Sequence, residues 1–139
     1  MSKIYSPNQI AIGTFLGGPL AAIFFLKRNF DTLGKEELSK QTLKIGLVVS
    51  LIIIAILPYL PEATPSILIP MLYLFPTIMV VKTFQISKDE IMNAEEYSFQ
   101  SSWKVFGISL GWMLVFLVAS ILFMFLLESV GMLNLDDLS

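Results

Sequence analysis

The break Gly17-Gly18-Pro19, set inside an apolar stretch, is the pattern in this chain best suited to chemistry. Proline lacks an N–H and clashes with the preceding turn, so a helix carrying it there kinks or stops and leaves backbone groups free. In a bilayer, free carbonyls and amides can hold a small ligand or ion, as the discontinuous helices of transporters do. They survive only where protein or water covers them, so the break is expected to face the interior of a bundle. Only Thr14 and Thr77 offer polar side chains near it, and helix packing is the favoured role over ligand binding.

Other chemistry has little to work with. Histidine and cysteine are both absent, which removes the usual neutral-pH general base, thiolate catalysis and the usual zinc and haem ligands. Ser50, Thr77, Ser109 and Ser120 lie at depth, but each can bond the carbonyl one turn earlier, and no base lies beside them. Asp89, Glu90, Glu95 and Glu96 string along one short segment rather than around a centre, so a solvated helix face fits better than a cation site. No catalytic residue, metal ligand, cofactor or nucleic-acid partner is expected. Proton-coupled transport is disfavoured as well, because no ionisable group lies inside the apolar stretches.

Four such stretches fill most of the 139 residues, at about 10–26, 45–60, 67–81 and 105–127, and none contains Asp, Glu, Lys, Arg or His. A bilayer core takes about 20 apolar residues in helical form, with roughly 17–25 usual. The chain is 55% hydrophobic and 14% charged, against about 25% charged in soluble proteins. The expected fold is all-α: a single domain over 1–139, an integral membrane bundle of four transmembrane helices.

Punctuation refines the elements. Ser6-Pro7-Asn8-Gln9 reads as a capping box with proline at the first helical position. Residues 35–44 form a charged helical lead-in to the second span, with Glu36 and Lys40 spaced for an ion pair. Pro58, Pro61 and Pro65 stiffen the link between spans two and three, and Pro70 and Pro76 should bend the third. Ser87-Lys88-Asp89-Glu90 is a second capping box, opening a short interfacial helix over about 88–97. Gly13, Gly17 and Ala21 recur every four residues beside Gly18 and Pro19, and Gly107 and Gly111 repeat the spacing. Small residues at that spacing let helices approach closely, and Gly46 with Ser50 gives a weaker version. The order of proline, cation, phenylalanine, helix, lysine and glycine occurs twice, from Pro19 to Gly46 and from Pro76 to Gly107, a faint echo of a parallel repeat.

Charge gives the spans a direction. Lys27, Arg28, Lys35, Lys40 and Lys44 lie between spans one and two, and Lys82, Lys88 and Lys104 between spans three and four. In a four-span chain only Lys3, of the nine basic residues, falls on the other side. The positive-inside rule then sets the two basic connections in the cytoplasm and both termini outside, with Lys27, Arg28, Lys82 and Lys104 fixing the topology. Cations after the first span, rather than before it, argue against a cleavable signal peptide.

The run Phe15-Leu16-Gly17-Gly18-Pro19-Leu20-Ala21-Ala22, followed by Arg28-Asn29-Phe30 and Leu33-Gly34, resembles small uncharacterised bacterial inner-membrane proteins with four spans. The resemblance covers the first quarter of the chain and implies a bacterial source, but it carries no activity or site residue. The expectation is a non-enzymatic accessory or assembly protein of the bacterial cytoplasmic membrane. It would work by helix–helix contact with a membrane-protein partner or a second copy, in a lipid bilayer. The alternative is a small homo-oligomeric channel or facilitator using the Gly17–Pro19 break.

Overall fold

A computed structural model of the chain describes residues 2–85 and 87–132. Along it lie β1 (Ser2–Ile4), α1 (Pro7–Thr32), α2 (Glu36–Ile56) with a 3-10 turn (Leu57–Tyr59), α3 (Leu68–Phe84), α4 (Lys88–Asn93), β2 (Tyr97–Phe99) and α5 (Ser102–Ser129). Both capping boxes form. The Ser6 side chain accepts the Gln9 N–H at 3.1 Å and Gln9 accepts the Ser6 N–H at 2.9 Å, and Ser87 and Glu90 repeat the exchange.

The first apolar stretch does not cross anything as a single rod. Gly18 has φ 81° and ψ −168°, a region open essentially to glycine alone. There α1 reverses into two arms, residues 7–17 and 19–32. The proof is at its ends. Asn29 accepts the Tyr5 N–H at 2.9 Å and donates to the Tyr5 carbonyl at 2.8 Å, whereas a continuous helix would hold them about 36 Å apart. Pro19 therefore starts the second arm, where its fixed φ is an asset, rather than kinking the interior of a helix.

By length and composition three helices could cross a membrane: Pro7–Thr32, Glu36–Tyr59 and Ser102–Ser129, with Leu68–Phe84 shorter at 17 residues. Because the first of these is folded double, the described residues show three long apolar helices and one shorter one, and the expected four-span bundle with both termini on one face is not confirmed. Both ends of α1, the end of α3 and the start of α5 share one end of the molecule, the near end. The hydrogen bonds from Asn29 to Gln85 and from Gln9 to the Gln100 carbonyl fix that arrangement, at 3.0 and 2.7 Å. At the far end, the Tyr59 hydroxyl donates to the Met132 carbonyl at 3.3 Å. The amino terminus and the last described residue thus lie at opposite ends. Residues 133–139 of the expected outer tail lie outside the described residues.

Two smaller expectations also change. The helix over 88–97 stops at Asn93, and Tyr97–Phe99 instead pairs in parallel with Ser2–Ile4, which α1 brings back beside it. The Glu36–Lys40 pair does not form; Lys27 instead pairs with Asp31 at 3.1 Å. The lead-in over 35–44 does continue into α2 without a break.

α1 is the core. Its most apolar stretch is 61% buried, against 17% for α2 and 6% for α5. Tyr5, Ile10, Phe25, Phe30, Val81 and Val105 form the buried cluster of the near end, with the Tyr5 and Phe25 rings edge to face at 4.9 Å. A Cβ on Gly18 would meet only Phe116 atoms at ordinary distances of 3.8–3.9 Å, so substitution there strains backbone rather than packing. Gly18→Ala should lower unfolding stability in detergent by about 1–3 kcal/mol, measured by thermal or denaturant melts; an unchanged midpoint would refute the reversal at this residue.

Candidate functional site

The tip of the α1 hairpin is assembled by close approach. A Cβ on Gly13 would lie 2.5 Å from the Phe25 ring of the opposite arm and 3.1 Å from Ser109 Oγ of α5. A Cβ on Gly17 would lie 2.5 Å from the Ala21 Cβ and 2.9 Å from the Ser109 carbonyl. Gly13, Gly17, Gly18, Pro19 and Ala21 are all buried, so the break faces the interior as its sequence implies. Gly46 likewise sits against Ile23. Glycine at these positions lets arm meet arm and both meet α5.

Gly107 and Gly111 behave differently. Both are exposed, and a Cβ on either would meet nothing within 4 Å. Among the described residues nothing packs on their small-residue surface.

Polar groups around the tip are nearly all self-contained. Ser109 donates to the Val105 carbonyl at 2.7 Å, Ser50 to Gly46 at 2.8 Å, Thr77 to Tyr73 at 2.6 Å and Ser120 to Phe116 at 2.8 Å. Thr14 is the exception: its hydroxyl is fully buried and has no partner among the described residues. The two candidate polar groups near the break, Thr14 and Thr77, therefore differ: the Thr77 hydroxyl proton is engaged, whereas that of Thr14 has no acceptor among the described residues.

A polar latch, not foreseen from the residues alone, closes the near end. Asn29, 2% exposed, is a side-chain mimic of a β-strand: it bonds both backbone groups of Tyr5, continuing β1, and donates to the side-chain Oε1 of Gln85. Gln85 in turn donates to the Leu26 carbonyl at 3.2 Å, tying the end of α3 to α1. Lys35 donates to the Phe84 carbonyl, linking the start of α2 to the same point. Burial raises the Tyr5 phenol above its usual range, with the positive charge of Arg28 opposing. An asparagine and a glutamine flanking apolar runs look like ordinary boundary residues until the fold brings them together.

The charged residues expected to set topology all sit in the near half. Lys27 is engaged with Asp31, and Arg28, Lys82 and Lys104 are exposed. Lys3 joins them through β1, so the near half holds all nine basic residues, while the only charged residues described in the far half are Glu62 and Glu128.

Between the second arm of α1, α2 and α3 lies an apolar cleft of about 240 Å³, with Pro19 and Pro76 in its walls. α2 and α3 pack on α1 rather than closely on each other, which leaves this space open. No known family model, characterised protein or solved structure matches the chain.

Two substitutions test the tip and the latch. Gly17→Ala pushes a methyl onto α5 backbone, which cannot swing aside, and should destabilise by about 1–3 kcal/mol. Gly107→Ala should be neutral or stabilising by up to about 1 kcal/mol in the isolated chain, since alanine favours the helix; equal effects in paired melts would contradict this packing. Asn29→Ala strands the Tyr5 amide and carbonyl at about 1–3 kcal/mol per buried group; it should also expose the β1 amides to rapid hydrogen exchange.

Proposed function

We propose that this chain is a non-enzymatic assembly protein of a bacterial cytoplasmic membrane. It crosses the bilayer with α2, α3 and α5 and dips α1 in as a re-entrant hairpin from the cytoplasmic side. Reversal at Gly18 moves Lys3 to the face of the other eight cations, so the charge asymmetry becomes nine to none. The positive-inside rule then sets the amino terminus in the cytoplasm and the end of α5 outside. At 17 residues α3 sits at the short limit for a crossing.

The observation that carries the assembly role is the state of α5. It bears no charge between Lys104 and Glu128, its most apolar stretch is only 6% buried although one face packs on α1, and on its outer side a Cβ at Gly107 or Gly111 would meet nothing within 4 Å. Apolar side chains gain nothing by leaving lipid for one another, so close backbone approach at small residues is what makes a helix face adhesive in a bilayer. A partner helix is the occupant that such a face suits. Purification in mild detergent should recover a stoichiometric, unrelated membrane protein. Gly107→Leu with Gly111→Leu should release it without changing the melting midpoint of the chain. A pure symmetric homo-oligomer that passes solute in liposomes would overturn the reading.

One observation favours the alternative, a facilitator working at the break: the unpaired Thr14 hydroxyl one turn before Gly18. The closed hydroxyls of Ser50, Thr77 and Ser109 weigh against a polar path leading to it. Topology is tested separately. An alkaline phosphatase fused to the amino terminus should be silent and one fused after Ser139 active; activity from the amino-terminal fusion would reject the re-entrant hairpin.

A further inference from the structure

The cleft between α2 and α3 has the dimensions and chemistry of a lipid chain. Its α2 wall runs from Leu38 to Ser50 and its α3 wall from Leu72 to Phe84, each about 18 Å long at helical rise. The α1 floor, from Pro19 to Phe30, is about as long. All three begin at the near end and stop at the depth of the hairpin tip. One leaflet of a bilayer core is about 15 Å deep, so the cleft spans a single leaflet, the one on the basic side.

Its polarity excludes a polar occupant along most of that length. The three aliphatic hydroxyls in the walls, on Thr42, Ser50 and Thr77, all donate to carbonyls of their own helices at 2.6–2.8 Å. Among the other wall residues only the Tyr73 phenol and Gln41 carry polar side-chain groups. Apolar cavities of even about 150 Å³ stay dry and take up hydrocarbon-like ligands. The mouth is open between exposed apolar side chains, Ile45 and Val49 on α2 and Leu72 on α3. At the near end Lys35 bridges to the Phe84 carbonyl, placing an ammonium at the level where a headgroup phosphate would lie.

We propose that the cleft holds one acyl chain of an anionic phospholipid from the cytoplasmic leaflet, with its phosphate against Lys35. The lipid completes the interface that α2 and α3 leave open, filling the wedge above the second arm of α1. This rests on the membrane reading above, so the test scores the two separately.

The protein is reconstituted in vesicles of phosphatidylglycerol and phosphatidylethanolamine, extracted in mild detergent, and its retained lipid counted by native mass spectrometry. Wild type should keep one phosphatidylglycerol per chain, enriched over the vesicle composition. Val49→Trp fills the mouth and should abolish retention, whereas Lys35→Gln should keep a lipid but lower the preference for phosphatidylglycerol about fivefold. Alkaline carbonate washing of the same vesicles should leave all three proteins in the membrane. Release by carbonate defeats the membrane reading itself. Membrane retention with no lipid above the Val49→Trp level defeats the lipid alone. A photo-crosslinker at position 49 that captures a second copy or another protein, rather than lipid, also overturns the proposal.

Discussion

The fold depends on one backbone reversal. Gly18 adopts a conformation closed to residues with a side chain, and through it α1 doubles back within its own length. Every long-range relation at the near end follows from that turn. It brings Asn29 to Tyr5, which makes β1 a strand with something to pair, which gives Tyr97–Phe99 a partner between α4 and α5. It also sets the first arm parallel to α5, so that Gln9 reaches the Gln100 carbonyl and Gly17 reaches Ser109. Straightening α1 would undo all of these contacts at once.

What holds the hairpin closed is a division of labour between depth and surface. At depth, glycines at 13 and 17 bring helix axes near enough for dispersion between backbones. Aromatic rings fill the rest, Phe24 meeting Phe25 at 5.6 Å and Trp112 of α5 at 6.0 Å. At the near end, hydrogen bonds take over. Asn29 and Gln85 use side-chain amides to satisfy backbone groups that no regular ladder reaches, and burial makes each of those bonds costly to break. The half of the molecule around α1 is tightly joined as a result. The far half has no such filler, and α2, α3 and α5 stand apart with their apolar faces uncovered. That asymmetry is why this chain offers a cleft on one side and a bare helix on another.

Much was legible in the residues themselves. The all-helical character, both capping boxes, the continuous lead-in to α2 and the inward-facing Gly-Gly-Pro break follow from local rules, because each involves groups within about one helical turn. That the apolar stretches carry no ionisable residue is compositional and needs no coordinates. Hydropathy at α1 counts apolar residues along the chain and cannot distinguish one rod of 26 residues from two arms of about half the length. Nothing in the composition of residues 10–26 separates them. The roles of the small-residue stripes were equally undecidable, since Gly13 and Gly17 pack within the chain while Gly107 and Gly111, with the same spacing, do not.

The sequence by itself determined where helices begin, which surfaces are apolar and that the cations are segregated, for these are properties of neighbours and of sums. Only the tertiary structure decided that Gly18 is a turn rather than a kink, that Lys3 joins the other basic residues, and that Asn29 is a structural amide instead of a loop residue. Each of those depends on groups 24 or more positions apart, brought together by a single pair of dihedral angles. A helix break permits either a bend or a full reversal, and the energy that selects between them comes from contacts that exist only after the chain has folded.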